Sequence, residues 1–94
     1  MAYKLAFHSK ALKELDGAGR ETQDQILKKL EKRLEDPRVA ADALSGMKDC
    51  YKIKLRSVGY RLVYQVQDNT VTVYVLAVDK RDKMKVYKAA RTRL

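Results

Sequence analysis

Three strand-forming segments, joined by two short turns, occupy most of the second half of the chain and leave little choice of fold. Each is rich in Val, Tyr, Ile and Leu, and they span residues 48–55, 60–67 and 71–79. Gly59 marks the first turn and Asp68-Asn69 the second, which predicts an antiparallel meander. The third segment is apolar on both faces up to Val78 apart from Thr72, so we expect it to be the central strand, covered on both sides.

The first half of the chain carries a short strand followed by two helical segments. Side chains alternate between apolar and smaller or charged types over residues 2–7, which is the period of a β-strand. Ser9 is placed to cap a helix that ends at the Gly-rich turn of residues 17–19. A second helix with apolar positions at the helical period runs over residues 20–35 and is stopped by Pro37. The short connection predicts an antiparallel helical hairpin packed on the sheet.

The last segment, residues 81–94, is predicted to be a basic amphipathic helix. Its apolar side carries Met84, Tyr87, Ala90 and Leu94. Because this helix is short, strongly charged and terminal, we expect it to dock only loosely. The elements together predict a single domain over residues 1–94 in the order β-α-α-β-β-β-α. This is an α+β fold, in which a small antiparallel β-sheet carries an N-terminal helical hairpin and a short C-terminal helix.

The composition is that of a soluble globular protein. Apolar residues make up 46% of the chain and charged residues 35%, and no apolar run approaches the roughly 20 residues of a membrane span. The N-terminal sequence MAYKLAFHSK has too few apolar residues for a secretory signal. The single cysteine, Cys50, excludes an intramolecular disulfide and fits a reducing compartment. We therefore expect a cytoplasmic protein without membrane association.

Positive charge is concentrated in the second half of the chain. The net charge is +9. Residues 1–47 hold nine Lys and Arg against eight Asp and Glu, whereas residues 48–94 hold twelve against four. One part of the folded domain should therefore carry a strong positive potential, which attracts nucleic acid or another polyanion.

The densest cationic pattern lies in the stretch CYKIKLRSVGYRLVYQV, residues 50–66. Lys52, Lys54 and Arg56 occupy every second position, so they share one face of a strand. A four-residue loop sets Lys54 opposite Arg61 and adds a cation to this face, whereas a three-residue loop sends Arg61 to the other face. The sequence leaves both registers open. Like charges set opposite each other destabilise a sheet, so a cluster of this kind indicates that a negative ligand lies there.

The usual catalytic constellations are missing from the sequence. His8 is the single histidine, no Cys/His set has zinc spacing, and there is neither a paired-carboxylate magnesium site nor a Gly-rich phosphate loop. Lys, Arg and Tyr remain, and they suffice in principle to cleave RNA, because the ribose 2′-OH supplies the nucleophile. Neighbouring cations lower a lysine pKa from its ordinary ~10.4 and make the amine a better base. The same residues would also bind a phosphate backbone without chemistry, and residue types alone favour binding.

The stretch GMKDCYKIKLRSVGYRLVYQV, followed by AVDKRDKMKVYKAA, resembles the RelE family of bacterial and archaeal toxins. The likeness extends over essentially the whole chain, from MAYKLAF through the helical pair ending in EDPR to the Lys-Arg and Tyr pattern near the end. The resemblance implies the toxin of a toxin–antitoxin pair, a ribosome-dependent mRNA interferase that cuts the codon in the ribosomal A site. It further implies cleavage without a metal or other cofactor, leaving a 2′,3′-cyclic phosphate and a 5′-OH.

The family's functional positions fall on five residues, all matched in type: Lys52, Lys54, Arg61, Arg81 and Tyr87. The resemblance implies that Lys52 and Lys54 activate the 2′-OH and offset phosphate charge, while Arg61 holds the scissile phosphate. It implies that Arg81 stabilises or protonates the leaving oxygen. Tyr87 would orient or stack on a base, or assist proton transfer.

Other positions receive lesser roles. Ser45 stands before Gly46 where family members carry a basic residue, which puts one supporting contact in doubt. Arg56, the cation nearest the turn, is interpreted as a contact to the RNA backbone. The cations of the second helix fit either docking on ribosomal RNA or simple helix solubility: Lys28, Lys29, Lys32 and Arg33.

The resemblance also implies partners and leaves two rival functions. The partners are a cognate RelB-like antitoxin and the 70S ribosome with mRNA in its A site, and operator DNA is reached only through the antitoxin complex. An acidic, partly disordered antitoxin suits a basic toxin, and it would wrap the toxin and shift the C-terminal helix. One rival is a ParE-like gyrase inhibitor, against which the retained site residues argue. The other is a non-catalytic module that binds RNA or the ribosome.

Overall fold

The computed structural model describes residues 2–80 and 85–94. The strands are β1 (Lys4–Phe7), β2 (Cys50–Leu55), β3 (Tyr60–Gln67) and β4 (Thr72–Lys80). The helices are α1 (Ser9–Asp16), α2 (Arg20–Glu35) and α3 (Lys85–Thr92). The predicted α+β class and the order β-α-α-β-β-β-α are confirmed.

The four strands form one sheet in the order β1-β4-β3-β2. Strands β2, β3 and β4 are the predicted antiparallel meander, and β4 is the predicted central strand, between β1 and β3. The first strand, for which no partner was predicted, runs parallel to β4. Parallel neighbours need a long connection between them, and here two helices and the β2–β3 hairpin supply it.

Helices cover both faces of the sheet. Helices α1 and α2 pack on one face, and their buried residues there are Ala11, Leu15, Ile26 and Leu30. The other face packs against α3, in a core that joins Val63, Leu76 and Ala77 of the sheet to Val86 and Ala90 of the helix. Burial on both faces explains why β4 lacks the polar alternation of a half-exposed strand.

The cap of α1 and the start of β2 differ from the sequence-based prediction. His8, rather than Ser9, caps α1, because its Nδ1 accepts a hydrogen bond from the Lys10 backbone N–H at 3.1 Å. Strand β2 begins at Cys50, two residues later than predicted. The chain turns just before it, and Asp49 has a left-handed φ of 62°.

Helix α3 is docked more firmly than the sequence predicts. Val86 and Ala90 are 2% and 0% exposed, and Tyr87 is half-buried. Leu94, which was predicted on the apolar side, is 55% exposed, and Met84 lies outside the described residues. Val86 therefore contributes apolar contact that the predicted helix face did not include.

A β-bulge in β4 provides part of this docking. Val63 pairs with Ala77 while Tyr64 pairs with Val75, so Leu76 is an extra residue in the strand. The Leu76 carbonyl accepts a hydrogen bond from Nη1 of Arg93, just after α3, at 2.9 Å. The bulge thus offers a backbone acceptor to the end of the helix.

Glu14 of α1 completes the anchor. Its carboxylate accepts two hydrogen bonds from the Arg93 guanidinium, at 2.7 and 3.0 Å, and one from the Val78 backbone N–H at 3.1 Å. Two-point Arg–carboxylate contacts are stronger than neutral hydrogen bonds. This contact joins α1, β4 and the end of α3, so the prediction of loose docking is wrong.

Replacing Glu14 by Gln is expected to loosen α3 and to lower the free energy of unfolding by about 1–2 kcal/mol, as for a charge-assisted hydrogen bond. Burial alone would raise the pKa of Glu14, but hydrogen bonds from Arg93 and the Val78 N–H outweigh it, and the pKa is lowered. A carboxylate with a lowered folded-state pKa stabilises the fold above its ordinary pKa, and the contribution is lost as pH falls through the folded value. The difference in unfolding free energy between the wild type and Glu14→Gln should therefore shrink as the pH is lowered.

Urea unfolding over a series of pH values, with hydrogen exchange of the α3 amides, measures this effect. Glu31→Gln, which removes an exposed carboxylate from α2, is the matched control. Equal losses in the two variants, or a Glu14→Gln effect that persists unchanged in acid, would contradict the proposed anchor.

Candidate active site

The β2–β3 hairpin has the register of a four-residue loop. Leu55 pairs with Tyr60 and Lys54 with Arg61. Gly59 closes the loop with a φ of +67°, a left-handed conformation that other residues adopt only with strain. Of the two registers that the sequence left open, the structure therefore has the one that adds Arg61 to the lysine face.

Lys52, Lys54 and Arg61 project from the face of the sheet that α3 covers. Lys52 pairs with Val63, which belongs to the core beneath α3, and residues two apart on a strand share a face. The guanidinium carbon of Arg61 lies 6.0 Å from the centroid of the Tyr87 ring, at the limit of a cation–π contact. Four of the five predicted site residues are thus brought to one face.

Asp79 lies next to Arg61 on the neighbouring strand, although the sequence analysis did not single it out. It pairs with Arg61 across β3 and β4, so Lys54, Arg61 and Asp79 form a row over three strands. Its carboxylate accepts a hydrogen bond from the Lys80 backbone N–H at 2.7 Å. The position of Asp79 beside Arg61 follows only from the register between β3 and β4. The fifth predicted residue, Arg81, lies outside the described residues.

The cationic cluster lowers the pKa of Lys54. The largest cause is the neighbouring Lys52 ammonium, followed by loss of hydration and by the Arg61 and Arg56 guanidinium groups, while Asp42 acts in the opposite direction. Like charges disfavour the protonated form of an amine. A larger fraction of Lys54 is therefore neutral at a given pH than for an isolated lysine, and a neutral amine can accept a proton.

Arg33 of α2 holds the edge of β2 at Lys52. Its Nη1 donates to the Tyr64 hydroxyl at 2.9 Å and to the Lys52 carbonyl at 3.4 Å, and its Nη2 pairs with the Asp42 carboxylate. The Tyr64 side chain is fully buried and donates its hydroxyl to the Pro37 carbonyl at 2.6 Å. The Arg33 side chain is 17% exposed, so the predicted surface role is wrong for this residue. A charged residue on a polar helix face carries no sequence signal of such a role.

A cleft of about 280 Å³ opens beside the cluster at the tip of the β2–β3 hairpin. We call it the hairpin cleft, and its lining residues are Lys54, Leu55, Arg56, Tyr60 and Arg61. Among the residues that line it within 2–80 and 85–94, three are cations and none is acidic. The cleft therefore brings Arg56, which the sequence analysis interpreted as a contact to the RNA backbone, into one cavity with Lys54 and Arg61.

Two further findings hold for residues 2–80 and 85–94. No group of three or more His, Cys, Asp or Glu side chains in these ranges is placed to hold a metal ion. None of the helices described there is long and apolar enough to cross a membrane. Cys50 is a free, buried thiol whose pKa is raised to about 11 by burial and by Asp49, so it is protonated at neutral pH and is a poor nucleophile.

The fold and the cationic face correspond to a known class of protein. Residues 5–84 match the family model described as the ParE toxin of type II toxin–antitoxin system, parDE. The chain therefore belongs to the RelE/ParE family of toxins. Within this family it is similar to the mRNA interferase toxin RelE of Escherichia coli, with 53% identity over 94 residues that cover 100% of this chain and 99% of that protein. The predicted resemblance to RelE is confirmed.

Solved structures of relatives have the same fold. The E. coli toxin RelE carrying two arginine-to-alanine substitutions, in the free state, gives a TM-score of 0.93 at 52% identity and covers 100% of this chain and 99% of that chain. A chain of the intact E. coli RelBE toxin–antitoxin complex gives a TM-score of 0.83 at 54% identity. That match covers 87% of this chain and 100% of the other.

Proposed function

We propose that this chain is the toxin of a toxin–antitoxin pair and a ribosome-dependent endoribonuclease that cleaves mRNA in the ribosomal A site. The observation that carries the proposal is the meeting of Lys52, Lys54, Arg61 and Tyr87 on one cationic face. The neighbouring cations lower the pKa of Lys54, which makes its amine a better proton acceptor than that of an isolated lysine. Full-length similarity to a relative named mRNA interferase toxin RelE supports the same activity.

The proposed reaction uses side chains alone. The neutral amine of Lys54 takes the proton of the ribose 2′-OH, while Lys52 keeps the pKa of Lys54 low and offsets phosphate charge. The 2′-oxygen bonds to phosphorus as the bond from phosphorus to the 5′-oxygen breaks. This leaves a 2′,3′-cyclic phosphate and, once the leaving oxygen gains a proton, a 5′-OH.

Three residues complete this proposed site. Arg61 binds the non-bridging oxygens of the scissile phosphate and stabilises the charge that develops on them. Arg81 is assigned to the leaving oxygen, which it stabilises or protonates. Tyr87 orients a base, and its contact with Arg61 holds both side chains toward the RNA.

The proposed partners are the ribosome with mRNA in its A site and a RelB-like antitoxin. Structures of E. coli RelE with RelB support the second, and a basic chain suits an acidic, partly disordered partner. We propose that the antitoxin displaces residues 82–94, which breaks the Glu14–Arg93 contact and removes Tyr87 from the site. Operator DNA is reached only through that complex, and the toxin acts in the cytoplasm.

Mapping of mRNA 5′ ends after incubation with programmed ribosomes tests the proposed function. We expect new ends within the A-site codon that require the ribosome and that are strongly reduced with Lys52→Ala and Arg81→Ala. Lys4→Ala is the control, because Lys4 is exposed and lies at the opposite end of the sheet from the hairpin tip.

Each other outcome has a definite meaning. Cleavage that survives both site substitutions refutes the site assignment. Inhibition of gyrase supercoiling without any cleavage supports the ParE-like alternative. Ribosome binding with neither activity supports the non-catalytic module.

A further inference from the structure

The hairpin cleft contains two residues that the proposed reaction does not use, Arg56 and Tyr60. Arg56 is exposed and directly follows β2, two residues beyond Lys54. Tyr60 begins β3, is half-buried, and faces Leu55 in the hairpin register. Both residues therefore line a cavity that is also lined by Lys54 and Arg61, and Tyr60 packs in addition against the core beneath α1 and α2.

The shape of the cleft is held by contacts on the loop itself. The Ser57 hydroxyl donates to the side-chain oxygen of Gln25 on α2 at 2.7 Å. Val58 packs against the core beneath α1 and α2, and Leu55 on the cleft wall is 4% exposed. Because these contacts already fix the cavity, little conformational entropy is lost when a ligand enters.

The charge of the cleft specifies the kind of ligand. Lys54, Arg56 and Arg61 line one cavity, and no acidic residue of the described ranges lines it with them. Arg56 is also one of the cations that lower the pKa of Lys54. A bound anion relieves this repulsion. Arg56 and Arg61 line the same cavity, and guanidinium groups bind phosphate oxygens in two-point contacts.

We propose that the hairpin cleft is a second nucleotide subsite, in which Arg56 binds the phosphate next to the scissile phosphate and Tyr60 lines the space for the attached nucleoside. The inference rests on the proposed nuclease function, because that function places the scissile phosphate at Arg61. It defines the substrate as a single RNA strand held by at least two successive phosphates. Arg56 is a binding residue in this assignment and takes no part in proton transfer.

Two variants that each remove one exposed positive charge test the subsite, Arg56→Gln and Lys4→Gln. The ligand is an RNA trinucleotide with 2′-O-methyl groups, which lacks the nucleophile and stays intact, and its binding is followed by NMR over a series of salt concentrations. We expect Arg56→Gln to weaken binding about 10-fold and to reduce the salt slope by about one phosphate contact. Lys4→Gln should change binding less than about 2-fold. The Tyr60 ring resonances should shift in the wild-type titration.

A second arm identifies the phosphate. The ligand here is a 2′-O-methyl RNA tetranucleotide, which has one phosphate on each side of the scissile position. When these two flanking phosphates are replaced in turn by neutral methylphosphonates, one replacement should weaken wild-type binding by the same factor as Arg56→Gln. That replacement should weaken the Arg56→Gln protein no further, because the contact is already absent.

The outcomes separate the subsite from the nuclease function. If Arg56→Gln binds the trinucleotide and cleaves A-site mRNA as Lys4→Gln does, the subsite is overturned while cleavage by the wild type preserves the function. Failure of the wild type to bind the trinucleotide also overturns the subsite. If binding depends on Arg56 but the wild type cleaves nothing on the ribosome, the nuclease function fails and the cleft stands as an RNA phosphate site.

Discussion

A Lys54→Ala variant is expected to cleave A-site mRNA at least about 100-fold more slowly than the wild type, the usual loss when a general base is removed. The cleavage rate at saturating toxin should fall. The toxin concentration that gives half of the maximal rate should stay the same, because only one cation among 21 Lys and Arg is removed. Single-turnover cleavage on programmed ribosomes measures both quantities. Lys54→Arg keeps the positive charge but supplies no base, so it should be as slow as the alanine variant.

The same site predicts a pH effect. Lys52 is the largest cause of the lowered pKa of Lys54, so Lys52→Gln should let that pKa rise toward its ordinary value. A smaller fraction of Lys54 is then neutral at a given pH, and the pH–rate profile of the remaining cleavage should move to higher pH. Lys4→Gln should leave the profile in place. If Lys54→Arg instead cleaves A-site mRNA as fast as the wild type, residue 54 supplies only positive charge and is not the base.

An Arg33→Ala variant is expected to lose about 2–4 kcal/mol of unfolding free energy. The substitution removes the donor to the Tyr64 hydroxyl and the Lys52 carbonyl, and it leaves the Asp42 carboxylate without its guanidinium partner. For a domain of this size the melting temperature should fall by roughly 10 °C or more. The rate of mRNA cleavage should also be lower than that of the wild type at temperatures at which the variant is still folded, because β2 loses its support at Lys52.

Thermal and urea unfolding followed by circular dichroism measure the stability of this variant. Lys32→Ala is the matched control, because Lys32 is the neighbouring residue on α2 and is exposed. Both substitutions replace a long cation by alanine in the same helix, so their helix propensities change alike. A loss in Arg33→Ala no larger than in Lys32→Ala would show that the buried network contributes little.

Features set by local sequence were predicted well. Helix α2 and strand β3 begin and end at the predicted residues, because apolar periodicity and a stop signal such as Pro37 act over a few neighbouring positions. The face shared by Lys52 and Lys54 follows from strand periodicity alone. The position of Arg61 depends on the loop length, and here the sequence allowed two registers that differ by one residue.

Features set by distant parts of the chain were not predictable in this way. The parallel pairing of β1 with β4 joins Lys4 to Thr72, and no local pattern specifies the partner of a four-residue strand. Glu14 and Arg93 are separated by 79 positions, and both have the residue types of ordinary surface charges. Arg93 also donates to the Leu76 carbonyl at the bulge, and the extra residue there is visible only in the register of the assembled sheet.

The pairing of Lys54 with Arg61 also bears on how the chain folds. The β2–β3 hairpin closes over a short loop and is the kind of local contact that forms within microseconds, whereas β1 reaches β4 only after most of the chain has been brought together. Repulsion across the hairpin opposes that early step, and dissolved salt screens it. The apolar pair Ile53–Leu62 on the opposite face must outweigh the repulsion. We therefore expect the Lys54–Arg61 pair to slow closure of the hairpin and to make the rate of that step depend on ionic strength.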